Sequence, residues 1–451
     1  MKIKFEIDLT VLGQRVLDLS RRFKISHFLL LYFAAHMLQI AFPSDGSMVF
    51  DEAYYVPASL TTLAGEAANL EHPPLGKLIG AAGIALFGNN WFGWRFPQVV
   101  ISTVGLYLFY LVAKRLLGGD PWALGATIML GLDTIFFIHG GILLLDAPAF
   151  MLGFLTLELY FRKRYWWSAI CMGLAFFDRE LTVFIFVTLV AYHIAVNRGA
   201  FKQAAKFLSR YTLAALLVLF ILLWAYDIHF QPAQSTMVTS NINTNVVVGQ
   251  SGQPITTIIQ TFMSTSSENI MRNPVQNIMF DFNYNGPHGI VLNETTVHAY
   301  EHPVDWILPI DPFDQPTYYR VDITVTAGNV TNDYTPIWYQ AQPNLPLWYG
   351  IWPAAFGLAL ALIRRKEWET ALFIAVGIGS NYLPWVVLDM LVRRIGFNYY
   401  YLYTLPFVAL GLVFAIKMLP RNTAKIILAS YIIVELAFFL WFFPVHPIGT
   451  G

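Results

Sequence analysis

Two short segments in the first fifth of the chain concentrate side chains that could do acid–base or ionic chemistry. The segment "FDEAYY" contains the adjacent carboxylates Asp51 and Glu52, and "EHPPLGK" contains Glu71, His72 and Lys77. Carboxylates beside a bilayer are costly unless something uses them. A carboxylate can act as a general base, a second one beside it can raise its pKa, and a lysine can bind an anion. Taken alone, the acidic pair is better explained as solvated loop residues.

Further groups of the same kinds come from separate segments that the topology derived below places on the same membrane face. They are His139, Asp146, Asp178, Arg179, Glu180, Glu301, His302, Arg393, Arg394, Tyr399 and Tyr400. A channel or a simple receptor has little need of this mixture. A site that handles an anionic, lipid-linked substrate would need it.

Structural roles remain open for several of these residues. His72 with Glu71 could cap the helix that follows the two prolines, and Lys77 could extend towards lipid head groups. The Arg393–Arg394 pair could be an interfacial anchor, and the tyrosines could belong to an aromatic belt. The segment 178–180 could form local ion pairs only.

The composition requires a membrane setting for these residues. The 451 residues are 56% hydrophobic and only 12% charged, whereas soluble domains carry about 25% charged residues. Repeated apolar runs of about 20 residues predict a multi-pass α-helical membrane protein. The single cysteine, Cys171, excludes an intrachain disulfide and a cysteine-based metal site. No cleavable signal peptide is expected before the first apolar run at Ile25.

The apolar runs predict eleven spans, and the positive charges predict their orientation. The spans lie near 25–43, 94–113, 121–138, 141–161, 165–178, 180–196, 211–229, 346–363, 368–388, 398–416 and 425–443. With a cytoplasmic N-terminus, 21 of the 28 basic residues fall on the cytoplasmic side, as the positive-inside rule requires. The C-terminus is then extracytoplasmic. Seven cations that topology does not explain remain outside: Lys77, Arg95, Arg179, Arg272, Arg320, Arg393 and Arg394.

The spans divide the chain into four parts. Residues 1–24 predict a cytoplasmic interfacial helix, and 25–229 form a transmembrane module whose first external loop is 44–93. Residues 230–345 form the large polar segment, a cap with short strands and a net charge of −7 that carries glycosylation sequons at Asn293 and Asn329. Residues 346–451 hold the last four spans. The fold class is therefore an all-α polytopic membrane protein with a small mixed α/β or β-rich extracytoplasmic domain.

The motifs resemble a known family in their order along the chain. "FDEAYY", "EHPPLGK", "GLDTIFFIHGGILLLDAPAF" and "RRIGFNYYYLYTLPF" are similar to the protein O-mannosyltransferases. More loosely they resemble the wider GT-C glycosyltransferases, including the aminoarabinose transferases that modify lipid A. The resemblance covers residues 25–229 and 346–420, and the acidic pair followed by HPPLGK is its most specific part. It implies a GT-C fold of about eleven spans.

Four departures from the family concern the acceptor and the sugar more than the reaction class. The segment 230–345 is too short for the β-trefoil insert of eukaryotic members. The family's Gln-Ser-Arg before "LLD" is replaced by a segment beginning at His139, which removes a basic residue. The family's Lys-Trp pair is replaced by residues 178–180, and its "YHY" histidine by Tyr400.

The resemblance implies roles for the candidate residues. Enzymes of this family transfer a sugar from a polyprenyl phosphate to an acceptor hydroxyl with inversion, so Asp51 is the expected base and Glu52 orients it or the acceptor. Lys77 and Arg393 or Arg394 are expected at the donor phosphate, with Arg179 compensating for the lost basic residue. The expected substrate-binding residues are Glu71, His72, His139, Asp146, Tyr399, Tyr400, Glu301 and His302. No cofactor is firmly implied, and a metal at Glu71, His72, Glu301 and His302 is possible but not favoured because the spacing matches no ligand motif.

The sequence thus predicts a glycosyltransferase that moves a sugar, expected to be mannose, from a polyprenyl (dolichyl) phosphate to Ser/Thr of a protein. Lipid or lipid-linked glycan acceptors form the first alternative. A transporter or channel subunit is the rival class; it requires charged residues at mid-span depth and symmetry between halves, and neither is evident in the sequence. The expected partners are the donor, a protein or lipid acceptor, membrane lipid and a possible homo- or heterodimer, with no nucleic acid. The active site is expected outside the cytoplasm, at a prokaryotic cell membrane or the ER.

Overall fold

A computed structural model describes most of the membrane-spanning part of the chain and pieces of the large polar segment. The described residues are 23–41, 48–232, 241–244, 258–260, 274–275, 277–279, 302–308, 318–319, 322–327, 330–334, 339–340, 343–392, 394 and 396–443. The predicted interfacial helix lies outside this part of the chain apart from its last two residues. The sequon asparagines Asn293 and Asn329, together with Glu301 and Arg393, lie outside it.

Within the described residues, ten helices precede the polar segment. They are α1 (Ile25–Ile40), α2 (Glu52–Leu63), α3 (Leu75–Phe87), α4 (Trp91–Leu117), α5 (Asp120–Gly131), α6 (Thr134–Gly141), α7 (Asp146–Phe161), α8 (Tyr165–Asp178), α9 (Val183–Val196) and α10 (Phe201–His229). Short 3₁₀ turns at Glu180–Thr182 and Arg198–Ala200 lead into α9 and α10. Helix α3 begins directly after the two prolines of "EHPPLGK", as predicted.

Five helices follow the polar segment in the part of the chain that the structure describes. They are α11 (Leu345–Trp348), α12 (Ile351–Ile363), α13 (Trp368–Val392), α14 (Leu405–Lys417) and α15 (Arg421–Phe442), and a 3₁₀ turn at Asn398–Tyr403 precedes α14. Helix α4 packs against α7, α7 against α8, and α8 against α10. Helix α14 packs against α12 and α13 and completes the core of the second half.

The polar segment contributes short strands, as its composition predicts. They are β2 (Gln231–Pro232), β3 (Asn241–Thr244), β4 (Ile258–Gln260), β5 (Tyr318–Tyr319), β6 (Asp322–Ala327), β7 (Val330–Tyr334) and β8 (Tyr339–Gln340), with β1 (Glu66–Ala67) from the first loop. An antiparallel sheet has the order β4-β3-β6-β7, β5 pairs with β8, and β1 pairs in parallel with β2. The β1–β2 pair joins the loop that follows "FDEAYY" to the end of α10.

Every predicted span coincides with helix, and the protein is an integral multi-pass membrane protein. By length and composition, however, five helical segments can cross a bilayer, or six if α5 and α6 count as one bent span; this applies to the described residues. The number eleven therefore stays a prediction.

The predicted continuous span at 121–138 is wrong in one respect, because it bends by 75° between α5 and α6. Asp133 causes the interruption: its Oδ1 accepts a hydrogen bond of 2.8 Å from the Phe136 amide and caps α6. Its Oδ2 accepts a hydrogen bond of 2.8 Å from the indole of Trp348. A capped carboxylate satisfies the amides that a continuous helix would have bonded internally.

Charged groups are not confined to one membrane face, which corrects the sequence interpretation. Asp133 and Glu435 are fully buried and lie inside predicted spans. Asn344 lies between them, because its side-chain amide donates to the carbonyl of Leu132 (3.0 Å) and to that of Glu435 (3.2 Å). These contacts join α11 and α15 to the bend between α5 and α6, and Asp133, bonded to Trp348, has a packing role there that needs no ion path.

Candidate active site

Asp51 stands at the N-terminus of α2, where the chain turns from the first loop into a helix. Its backbone carbonyl accepts hydrogen bonds from the amides of Tyr54 (2.9 Å) and Tyr55 (3.0 Å), and its side chain is half-buried. Burial raises the pKa of the Asp51 carboxyl to about 6, although the positive charges of His72, Arg179 and His139 oppose this shift. A carboxyl with such a pKa is ionised at neutral pH and is a competent general base.

Glu52 points away from this group into the protein interior. Its carboxylate receives hydrogen bonds from Arg95 Nε (2.8 Å) and Nη2 (2.7 Å), and from the backbone amides of Val49 (2.8 Å) and Leu143 (3.0 Å). Neither Glu52 nor Arg95 is exposed. This placement differs from the expected role of Glu52 in orienting the acceptor or Asp51, because these contacts tie α2 to α4 and to the segment before α7.

Asp146 is the centre of a buried charge cluster at the start of α7. Its Oδ1 lies 2.5 Å from Arg179 Nη1 and accepts a hydrogen bond of 3.3 Å from the Tyr403 hydroxyl, and its Oδ2 lies 2.9 Å from His139 Nδ1. The Arg179 guanidinium also lies over the Tyr403 ring, 5.8 Å from its centroid. Arg179 therefore pairs across the structure with Asp146, not only with its chain neighbours.

Arg179 can donate a further hydrogen bond in spite of its ion pair with Asp146. Its Nε is buried and has no hydrogen-bond partner among the described residues. A buried guanidinium with an unused N–H is suited to a further anion, such as a phosphate oxygen.

His72 connects the "EHPPLGK" loop to the 3₁₀ turn that begins at Glu180. Its Nδ1 lies 3.4 Å from Glu180 Oε2, and its ring centroid lies 6.1 Å from that of Tyr55. Glu71 is half-buried beside it. Residues 178–180 thus provide partners both to His72, through Glu180, and to Asp146, through Arg179.

Lys77 is placed differently from the expectation. Its side chain is buried, and its ammonium donates hydrogen bonds to the backbone carbonyls of Asn69 and His72, the latter at 2.6 Å. These contacts fix the loop that carries His72. They do not fit a lysine that extends to lipid head groups, and its contact with a donor phosphate stays a prediction.

The tyrosines before α14 form part of an aromatic wall. Tyr399 lies beside the rings of Phe50 (5.5 Å) and His139 (5.7 Å), and Tyr400 stacks on Trp385 at 4.3 Å. Tyr399 thus packs against two rings beside the Asp146 cluster, whereas Tyr400 packs on α13.

Arg394 belongs to the same region. It is buried, and both its charge and that of Arg179 act on the Tyr400 hydroxyl. The other candidate arginine, Arg393, lies outside the described residues.

His302 contacts a different element. Its Nδ1 lies 3.0 Å from Asp389 Oδ2 on α13, and its side chain is mostly exposed. Within the described residues, no three His, Cys, Asp or Glu side chains lie close enough together to hold a metal ion. The alternative metal set includes Glu301, which lies outside those residues.

Sequence reasoning missed the roles of three residues. Arg95 was noted only as an unexplained cation, and Tyr403 was not singled out. Asp178 is fully buried, lies beside Gly76 at the start of α3, and neither of its carboxylate oxygens has a hydrogen-bond partner within the described part of the chain. The surplus of external cations is the one signal that pointed to Arg95.

A cavity of about 20 Å³ lies behind the His139–Asp146 pair, lined also by Ser102, Phe150 and Tyr403. This is room for about one water molecule.

Comparison with known proteins places these motifs in a family context. The sequence profile of the dolichyl-phosphate-mannose–protein mannosyltransferases matches residues 71–224. A polyprenol-phosphate-mannose–protein mannosyltransferase of Mycobacterium tuberculosis is 31% identical over 118 residues, which are 25% of this chain and 22% of the relative. The chain thus matches less than a quarter of that relative's length.

Solved structures share the fold over nearly the whole chain. A protein O-mannosyltransferase complex of S. cerevisiae bound to the sugar donor has a TM-score of 0.63 and 12% identity, covering 93% of this chain and 89% of that one. ArnT from Cupriavidus metallidurans bound to undecaprenyl phosphate has a TM-score of 0.55 and 13% identity, covering 92% and 63%. The chain therefore has the fold of the GT-C membrane glycosyltransferases, and its residues 71–224 are protein O-mannosyltransferase-like in sequence.

Proposed function

We propose that the protein is an inverting glycosyltransferase that moves mannose from a polyprenyl phosphate to a Ser or Thr hydroxyl of a protein outside the cytoplasm. The observation that carries the proposal is the environment of Asp51. A half-buried carboxylate with a pKa of about 6 lies within electrostatic range of Arg179, a buried cation with an unused N–H. A base and a phosphate-binding cation are the two groups that this transfer requires.

In the proposed reaction, each of these residues acts at one bond that forms or breaks. The acceptor oxygen attacks the anomeric carbon, its proton passes to Asp51, and the bond between that carbon and the phosphate oxygen breaks. The polyprenyl phosphate leaves with the electron pair of that bond, and its growing charge is stabilised by Arg179 and Arg394. Attack opposite the leaving group gives the anomer opposite to that of the donor.

The similar proteins support the donor class. The M. tuberculosis relative is named for polyprenol-phosphate mannose and a protein acceptor, the S. cerevisiae structure holds a sugar donor, and ArnT holds undecaprenyl phosphate. Since the sequence match covers a small share of the relative, donor and acceptor are inferences for this chain. The S. cerevisiae complex is also consistent with a dimeric or heteromeric assembly.

The segment 178–180 supports a second candidate acceptor. It replaces the family's Lys-Trp pair with groups that contact His72 and Asp146, so the site differs from that of the protein O-mannosyltransferases. A lipid or lipid-linked glycan hydroxyl is therefore the second candidate.

A transfer assay with two acceptor classes tests the proposal. Membranes containing the protein are incubated with radiolabelled polyprenyl-phosphate mannose and Ser/Thr-rich peptides, and label is measured in peptide and in extracted lipid. Label in the peptide, removed by a mannosidase specific for the inverted linkage, is the expected result. Label confined to lipid would select the second candidate. Absence of transfer to either class, with mannose and with other polyprenyl-phosphate sugars, would refute the proposed activity.

A further inference from the structure

Phe50, the residue before Asp51, has an unusual backbone conformation. Its φ is +53°, in the left-handed region that a bulky L-residue rarely adopts. Such a conformation persists only when the surrounding structure imposes it, and it is most often found at functional sites.

The turn at Phe50 is accompanied by a separation of the two carboxylates that follow it. Helix α2 begins within one residue, since the amides of Glu52 and Ala53 bond to the carbonyls of Val49 (3.1 Å) and Phe50 (3.2 Å). Glu52 reaches back to the Val49 amide, in the manner of a capping box, and enters the ion pair with Arg95. Asp51 instead faces the charges of the site.

The Phe50 ring holds this turn against the site wall. Its centroid lies 6.0 Å from the His139 ring and 5.5 Å from the Tyr399 ring, and those two rings lie 5.7 Å apart. The three rings therefore form a closed triangle of aromatic contacts. His139 is in turn fixed by Asp146, so the backbone that carries Asp51 is tied to the Asp146–Arg179 cluster through one side chain.

We propose that Phe50 is a positioning residue for Asp51: its left-handed backbone sets the direction in which the chain enters α2, and its ring, packed on His139 and Tyr399, fixes Asp51 relative to Arg179. The role rests on the proposed function, because it concerns the base of that reaction. Phe50 then has a role that differs from those of both acidic residues. Asp51 is the group that is positioned, and Glu52 is held by Arg95.

Three substitutions of Phe50 distinguish the effect of its ring from the effect of its backbone conformation. Phe50→Gly removes the ring but adopts positive φ without strain, Phe50→Ala removes the ring and keeps the strain, and Phe50→Tyr keeps both. We expect the thermal midpoint of Phe50→Gly to exceed that of Phe50→Ala. We expect both to lower kcat by at least about tenfold, with the KM for the donor near that of the wild type, and Phe50→Tyr to stay within about threefold.

The pH dependence of the transfer rate is a measurement that a purely structural role of Phe50 would leave unchanged. Loss of the ring admits water to Asp51, which lowers its pKa, so the acidic limb of the rate of Phe50→Gly moves to lower pH. Lys163→Gly is the matched control, because Lys163 has φ +59° in the turn between α7 and α8 and lies outside the site.

The outcomes separate this role from the proposed function. Unchanged kcat in Phe50→Gly, or an equal loss of kcat in Phe50→Gly and Lys163→Gly, would refute the positioning role while mannose transfer by the wild type stands. Absence of transfer by the wild type itself would refute the proposed function and this role together.

Discussion

Arg95 and Glu52 form a bidentate ion pair at a place where neither side chain is exposed, with N–O distances of 2.7 and 2.8 Å. The pair lies one residue from the proposed base. We predict that Glu52→Gln leaves Arg95 buried without a counter-charge and destabilises the protein by about 3–5 kcal/mol. The midpoint of thermal unfolding in detergent measures this loss.

Asp51→Asn is the matched control for that prediction, because Asp51 is adjacent in sequence and half-buried. We expect its thermal midpoint to stay at or above that of the wild type, since a neutral amide replaces a carboxylate that burial disfavours. Equal destabilisation by the two substitutions would contradict the separation of structural and catalytic carboxylates.

Arg179 is predicted to act through the geometry of its guanidinium. Arg179→Lys keeps the charge but cannot bond Asp146 and a phosphate with one planar fork, so we expect the rate of transfer to fall by about 10²-fold. Arg162→Lys is the control, since the exposed Arg162 forms an i,i+4 pair with the buried Glu158 outside the site. A rate for Arg179→Lys equal to that of the control would show that Arg179 does not contact the donor phosphate.

The ionisation of Asp51 predicts the acidic limb of the pH–rate profile. Since the base works when deprotonated and its pKa is about 6, the rate falls as the pH decreases through about 6. The charge of His72 lowers this pKa, so its removal in His72→Gln raises the pKa and moves the acidic limb to higher pH.

His193→Gln serves as the control for this shift. His193 bonds the Tyr160 hydroxyl at 2.6 Å near the C-terminal end of α9, whereas Glu180, the partner of His72, lies just before the N-terminal end of the same helix. The dependence of kcat/KM on pH, measured between pH 4.5 and 8, shows the position of the acidic limb in each variant. A limb that moves to lower pH in His72→Gln would show that His72 does not act on Asp51 through its charge.

Lys77 is predicted to hold the "EHPPLGK" loop. Lys77→Ala leaves the buried carbonyls of Asn69 and His72 without this donor, which costs about 1–3 kcal/mol for each group. We expect a lower thermal midpoint and a reduced kcat. A raised KM for the donor with an unchanged thermal midpoint would instead assign Lys77 to the phosphate.

The sequence was sufficient to predict the helices because apolar runs and prolines act locally. It placed α3 directly after Pro74 and a helix in each predicted span. It did not predict the bend at Asp133, because the indole that binds this carboxylate belongs to Trp348, 215 residues further along the chain.

The candidate site was predictable in its residue types and less so in its pairing. Asp51, His139, Asp146 and Arg179 come together as their motifs suggested. The direction of Glu52 was not predictable, since its partners Arg95 and Leu143 lie 43 and 91 residues away. Adjacent carboxylates in a sequence carry no signal of which one turns inward; the hydrogen bonds of Glu52 show it only in the structure.

The most direct test is the initial rate at which Asp51→Asn transfers mannose from polyprenyl-phosphate mannose to a Ser/Thr peptide, measured beside the wild type at equal protein and at pH 7.5. If Asp51 is the base, the rate falls by about 10²–10⁴-fold while the thermal midpoint is retained. A rate within about threefold of the wild type would contradict the assignment of Asp51 as the catalytic base.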